Sequence, residues 1–407
     1  MAALLLLGFG SGLPFLLTNR TLQAWMTVEQ VDLAKIGAFS LVGLPYSLKF
    51  LWSPLLDRFV PPLLGRRRGW LALAQGAIAL ALLVLAAQNP QQGLQWVAIA
   101  AVLVAFLSAT QDIAADAYRA DVLAPLEMGA GAAIFVLGYR MALLIAGGAA
   151  LILADRLSWP VTYMAMAGLM AACIVFTWLA PEPIHREQPP TTLLDAVRLP
   201  LRDFLTRYPW PRGLIILSFI VLYRLGDAMV GNMVLPFLLQ AGFSQTQVGA
   251  IQGVMGLIAT IVGALTGGVV LSQIGIDRSL WVFGGLQALS NLAYLALALV
   301  GKNDTAMVVA INLENFCGGL ATAGFTAFLM SLCNPRFSAT QYALLSSLMA
   351  VSRDILVAPV GAIAQATGWP TFFALTIGAA VPGLLLLPWF APWQRSKGDG
   401  DGTATLG

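Results

Sequence analysis

The sequence predicts an all-α membrane protein, with twelve transmembrane helices in two six-helix bundles related by pseudo-symmetry. Three observations predict it. Of 407 residues, 59% are hydrophobic and 10% charged, against about 25% charged in a soluble domain, so lipid must cover what a polar surface cannot. Apolar runs long enough to cross the hydrocarbon core, ~20 residues each, recur twelve times. The second half of the chain also repeats landmarks of the first at a nearly constant offset.

The twelve runs are 3–26, 34–58, 69–88, 94–121, 129–154, 159–181, 213–240, 245–272, 278–300, 304–333, 338–366 and 369–392. Turn-forming stretches separate them: "QNPQQG", "LAPLEMG", "RLSWP", "GFSQTQ", "CNPRFS" and "ATGWP". The first run has no basic leader and passes directly into further spans, so it reads as a membrane helix and not as a signal peptide. A polar stretch at 182–212 divides the chain into an N-terminal bundle, 1–181, and a C-terminal bundle, 213–393. The last residues, 394–407, are expected to be disordered.

Lysine and arginine placement sets the expected orientation. With the N-terminus inside, cytoplasmic loops receive Arg58, Arg66, Arg67, Arg68, Arg186, Arg198, Arg202, Arg207, Arg212, Arg278, Arg336, Arg395 and Lys397. The opposite side receives Lys35, Arg156 and Lys302. Both termini and the central loop are therefore expected in the cytoplasm.

The repeat is legible in four places. "SWPVTY" at 158–163 matches "GWPTFF" at 368–373, "WLAPEP" at 178–183 matches "WFAPWQ" at 389–394, "GRRR" at 65–68 matches "GIDR" at 275–278, and Arg140 matches Arg353. Offsets of 210 to 213 residues describe a parallel six-helix repeat, the architecture of major facilitator transporters, whose substrate site lies near the midplane between the halves. "LLDRFVPPLLGRRRGW" resembles the signature cytoplasmic loop of that superfamily, with a longer spacer. Asp57, Arg58, Gly65, Arg66, Arg67 and Arg68 fill its positions, as a latch on the inward-closed state, a positive-inside anchor, or both.

Buried charge supplies the candidate site. In "SATQDIAADAYRADV", helical geometry of ~100° per residue puts Ser108, Asp112, Asp116 and Arg119 on one face and Asp121 opposite. Asp112 falls about 24 Å along the axis from Trp96, in the cytoplasmic half of the core. A carboxylate at that depth must face the bundle interior or water, and marks an ion or substrate path. Moved between dry and wet settings it can load and release a proton; a fixed pair with a buried arginine is the alternative. Asp116 and Arg119 can pair locally at i, i+3. Asp121 is expected to partner Arg58 or one of Arg66 to Arg68.

Further polar groups gather at mid-depth: Arg140, Arg224, Arg353, Lys49, Glu314 and Asn315. Asp227 can pair with Arg224 within one helix. Arg140 and Arg353, related by the repeat, would face a cavity from both halves and suit an anionic substrate, because arginine grips carboxylate bidentately; each neutralising a buried acid is the other reading. Gln111, Tyr139, Asn232 and Asn315 can hydrogen-bond a polar ligand. Asp112, Glu314 and Asp116 are thus the candidates for proton coupling, and Arg140, Tyr139, Gln111, Arg224, Asn232, Asn315 and Arg353 for substrate. Cys173, Cys317, Cys333 and the single histidine, His185, have no metal or redox spacing. No phosphate-binding glycine loop is present, so a proton gradient is the expected power source. No enzymatic activity, cofactor, metal or nucleic-acid partner is expected, and the chain is expected to act as a monomer in the bilayer.

"SGLPFLLTNRTLQAWM", "KFLWSPLLDR", "PPLLGRRRGW", "QDIAADAYRADVL", "GAGAAIFVLGYR", "NLENFCGG" and "FSATQYALLSSLMAVSRD" resemble the AmpG family of muropeptide permeases, from about residue 4 to about residue 390. The resemblance implies proton-driven import, across the bacterial inner membrane, of N-acetylglucosamine–1,6-anhydro-N-acetylmuramic acid with or without peptide. It also implies a place in cell-wall recycling and, in some Gram-negative species, in β-lactamase induction. The aspartate of the family's "QDI" stretch corresponds to Asp112. A facilitator for another anionic or sugar-type solute is the alternative.

Overall fold

The computed structural model describes residues 2–61, 64–122, 128–181, 206–207, 210–332 and 338–391. All regular structure among them is helical. Ten helical stretches are long and apolar enough to cross a membrane, and a shorter apolar stretch, Leu33–Leu48, accompanies them. The longest, Gln245–Val300, breaks at Gly275 (φ 79°, ψ 170°) and supplies two spans. The twelve are Ala3–Val28, 33–58, Arg66–Ala86, Leu94–Val122, 128–156, Trp159–Leu179, Trp210–Gln240, 245–274, 276–300, Asp304–Ser331, 338–367 and Trp369–Leu386. They are called the first to twelfth helices below. Residue 182–205 of the central loop, the tail from 392, and Cys333 and His185 lie outside the described residues.

Local chemistry explains the helix starts. Ser158 accepts from Val161 N ahead of Pro160, and Asn303 accepts from Ala306 N at 2.9 Å. Ser244 and Gln247 form a capping box. Each satisfies backbone donors that lipid cannot. Gly65 and Gly275, which the repeat pairs, share one conformation (φ 80°, ψ −174° and φ 79°, ψ 170°) that a Cβ would disfavour. The repeat extends to packing. Trp25 lies against Tyr163 at 5.2 Å between ring centroids in one half, and Phe237 against Phe373 at 4.9 Å in the other.

Several helices are less regular than an apolar run suggests. The second is broken into short α and 3-10 pieces, with Pro45 and Pro54 at the starts of two of them. The seventh is interrupted at Arg224 (φ −106°, ψ 14°), which precedes Leu225–Gln240. The fifth and eighth contain π-turns, Ile145–Ala149 and Ile251–Gly256. Such features recur at functional sites.

The two halves meet at the end of the bundle that carries the connections near 29–32, 157–158, 241–244 and 368. There Leu33–Ala38 packs on Val360–Thr367, and Ala150–Arg156 on Gln245–Ala250. Glycines set the distance: a Cβ on Gly37 would lie 2.6 Å from Gly361 N, and one on Gly249 2.9 Å from Gly148 O. Close small-residue contact is how helices associate where lipid is as apolar as leucine. Polar bonds add to it. Thr246 donates to Asp155 Oδ2 at 2.5 Å, Ala34 N to Gln365 Oε1 at 3.3 Å, and Ser40 to Asp354 O at 2.8 Å.

Candidate functional site

Below that closed end lies a cavity of about 370 Å³ lined from both halves. The first helix contributes Phe15, Asn19 and Arg20; the seventh, Arg224, Asp227 and Asn232; the tenth, Glu314 and Asn315; the eleventh, Arg353 and Asp354. Three cations therefore face three carboxylates. Two pairs close locally. Arg224, freed by the break in its helix, bonds Asp227 Oδ2 through Nε at 3.1 Å and Nη2 at 2.5 Å, and donates to Thr322 Oγ1 at 2.9 Å. Arg353 bonds its neighbour Asp354 at 2.8 and 3.0 Å. Asp227 also accepts from Gln287 at 2.9 Å.

The remaining two, Arg20 and Glu314, face one another across the cavity without an ion pair, with Asp227 and Arg224 also acting on Glu314. Asn232 Oδ1 is buried and makes no hydrogen bond. Asn315 is held by Thr260 at 3.2 Å and by Ile311 O at 2.8 Å.

A smaller cavity of about 170 Å³ adjoins the first, sharing Leu16, Arg20, Thr260 and Asn315 with it, and Arg140 and Gln252 line it. The structure thus does not bring Arg140 and Arg353 to one cavity. They sit in helices that approach different partners, and Arg353 is neutralised by Asp354.

Asp112 lies in neither cavity lining. Ser11, Lys49 and Asp116 surround its carboxylate, and the hydroxyls of Tyr46 and Tyr139 are close enough to feel its charge. Asp116 is bound twice, by Arg119 at 3.2 Å and by Lys49 at 3.6 Å. The face is arranged as helical spacing requires: Ser108 is fully buried, and Asp116 emerges with its side chain half exposed. Gln111 points elsewhere. It is fully buried among Gly10, Gln75 and Cys173, with both amide atoms unpaired, and lines neither cavity.

At the opposite end of the N-terminal bundle, Gly65 caps the third helix. Arg67 bonds Asp121 Oδ2 at 2.6 Å, and Arg68 donates to Ala180 O at 2.7 Å. The third helix start is therefore tied to the fourth and sixth helices. Arg66 opens the same helix. The side chains of Asp57 and Arg58 lie outside the described residues.

Sequence reasoning passed over Arg20, Asn19 and Asp354. Arg20 left a signal, as the only charged side chain in the first twenty-eight residues. Asp354 left none beyond its position next to Arg353, because only the fold shows which of two neighbours faces inward.

The chain matches the sequence profile of the Major Facilitator Superfamily over residues 1–353. It is 51% identical over 389 residues to the protein named anhydromuropeptide permease of Escherichia coli K12, covering 95% of this chain and 78% of that one. It is 34% identical over 392 residues to a Rickettsia conorii protein named as an AmpG 4 transporter, covering 94% of each. Among solved structures it resembles the nucleoside transporter NupG (TM-score 0.73, 17% identity, 97% and 99% covered) and the inward-open xylose transporter XylE of E. coli (TM-score 0.71, 11% identity, 98% and 96% covered). At those identities the structural likeness carries the fold alone. The internal cavity between two matched halves, the superfamily profile and the identity to the permease together place this chain in the AmpG family of the major facilitator superfamily.

Proposed function

We propose that this protein is a secondary transporter that imports anhydro-muropeptides across the bacterial inner membrane, driven by protons, without covalent change to its cargo. The observation that carries the reading is the cavity of about 370 Å³ between the halves, with three arginines, three carboxylates and three asparagines on its wall. An amino-sugar disaccharide bearing carboxylates needs such a set: arginine for carboxylate, amides for sugar hydroxyls and acetamido groups. The 51% identity to a named anhydromuropeptide permease supports the substrate class.

In this reading lysine and arginine placement puts both termini in the cytoplasm, and the end at which the halves touch is then extracytoplasmic. Import requires the converse state, in which the glycine contacts part and the loop of Asp57, Arg58 and Gly65 to Arg68 closes. In this reading Arg224, Asn232, Asn315 and Arg353 hold cargo. Asp112 carries the coupling proton, with Glu314 as the second candidate and Asp116 held by its two cations. A monomer suffices, because one chain supplies both halves of the cavity. The imported sugars would enter cell-wall recycling.

The test is uptake of defined anhydro-muropeptides into proteoliposomes, with and without an imposed pH gradient and with other labelled sugars and anions as competitors. Accumulation that needs the gradient and is displaced only by muropeptides supports the proposal. Exchange of other solutes, with muropeptides inert, favours a facilitator for a different cargo.

A further inference from the structure

The smaller cavity is lined by two arginines that form no ion pair with a described residue, Arg20 and Arg140. Neither guanidinium makes a hydrogen bond or an ion pair to any described residue, although every other arginine on the larger cavity wall is paired. Arg20 Nη2 lies 3.5 Å from where a Cβ on Gly231 would stand, so its fork ends against the seventh helix with its donors unused. Arg140 is exposed and Arg20 partly buried, with Glu314 opposite Arg20 across the larger cavity; two cations without ion pairs at membrane depth attract a counter-charge. Across from them, Gln252 projects from the π-turn Ile251–Gly256, and both its amide atoms are buried without a hydrogen-bond partner. A buried, unsatisfied amide is itself expensive.

The remaining wall is apolar: Leu143, Leu144, Leu151, Leu235 and Val248. At about 170 Å³ the space is close to the ~150 Å³ cavity that accepts one benzene. It takes a short carboxylated arm and not a sugar ring. Arg20 and Asn315 stand on the boundary with the larger cavity, so one ligand can occupy both spaces.

We propose that the smaller cavity is a carboxylate subsite of the transport site: Arg20 and Arg140 grip a carboxylate arm of the cargo, and Gln252 donates its amide to it. The proposal rests on the transport reading above and adds a division of labour, rings in the larger space and acid in the smaller. The acid joins the two halves, because both arginines belong to the first and Gln252 to the second. It does so beside the π-turns and beside Gly148, Gly249 and Gly253, where the fifth and eighth helices touch. A bound carboxylate therefore reinforces that crossing.

The experiment compares N-acetylglucosaminyl-anhydro-N-acetylmuramic acid with its neutral carboxamide, by equilibrium binding to purified protein. Wild type prefers the acid. Arg20→Gln and Arg140→Gln lose roughly tenfold or more for the acid and little for the amide. Arg140→Lys keeps charge without the fork and falls between. A second arm needs no sugar: Leu257→Cys, on the wall of the same cavity, is labelled by a small thiol reagent. Glutarate slows the labelling, glutaramide does not, and the protection disappears in either arginine variant. Equal losses for acid and amide, or labelling that glutarate leaves unchanged with both arginines present, overturn the subsite. If wild type binds neither disaccharide, the muropeptide reading falls instead, and the glutarate arm decides the subsite alone.

Discussion

Arg67 Nε stands 2.6 Å from Asp121 Oδ2, across 54 residues of sequence, and joins the start of the third helix to the end of the fourth. The arginine side chain is 9% exposed and the aspartate 30%. Replacing Arg67 by methionine strands a half-buried carboxylate, and a bond to a charged group contributes about 1.5–3 kcal/mol. Arg67→Met should therefore lower the melting temperature in detergent, and a double-mutant cycle with Asp121→Asn should show a positive coupling energy. Strictly additive losses would mean the pair contributes no net stability.

Asp112 and Asp116 should separate in transport. Asp116 has two cations at hand, Lys49 and Arg119, whereas Asp112 shares only the more distant influence of Lys49. Asp112→Asn, a near-isosteric stand-in for the protonated acid, should abolish gradient-driven accumulation yet leave binding and counterflow largely intact. Asp116→Asn should be milder. If Asp112→Asn still concentrates cargo, Glu314→Gln becomes the decisive variant, since Glu314 is the carboxylate of the larger cavity with no local arginine partner of its own.

The closed end depends on glycine contact. A Cβ on Gly361 would overlap the carbonyl of Leu33, so Gly361→Val should disfavour this state and expose the cavity to the outside. Replacing Asp57 or Arg66 should loosen the opposite end. Thiol labelling of Ser40→Cys, which lines the cavity, from each face of the membrane measures both. The prediction fails if Gly361→Val leaves the labelling sidedness unchanged in a folded protein.

Tyr163 tests the packing that the repeat shares. It is fully buried, stacks near Trp25 and donates its hydroxyl to Leu17 O at 2.8 Å. Tyr163→Phe should cost about 1 kcal/mol for one hydrogen bond, and Tyr163→Ala about 3–5 kcal/mol for the void. Thermal unfolding of both variants gives the ratio; equal losses would show that the bond and not the ring dominates.

The apolar runs and their turn residues determined the helices almost completely, because in lipid a backbone has no way to satisfy its polar groups except in helices or closed barrels. The repeat was equally legible, down to Gly65 and Gly275, because equivalent turns demand equivalent residues. Helical spacing alone placed Asp112 and Asp116 on one face, and adjacency alone made a pair of Arg224 and Asp227 available. What the tertiary structure decided is which helices meet. Gln111, one residue before Asp112, turned instead toward Gly10, Gln75 and Cys173, since a one-residue step rotates a side chain by about 100°. Arg140 and Arg353 were symmetric in sequence but line different cavities, the second paired with Asp354 and the first without an ion pair to any described residue. Arg20, an unremarkable residue in an apolar run, became the residue common to both cavities. Partners for buried charge come from other helices, and a pattern along one chain does not contain the distances between them.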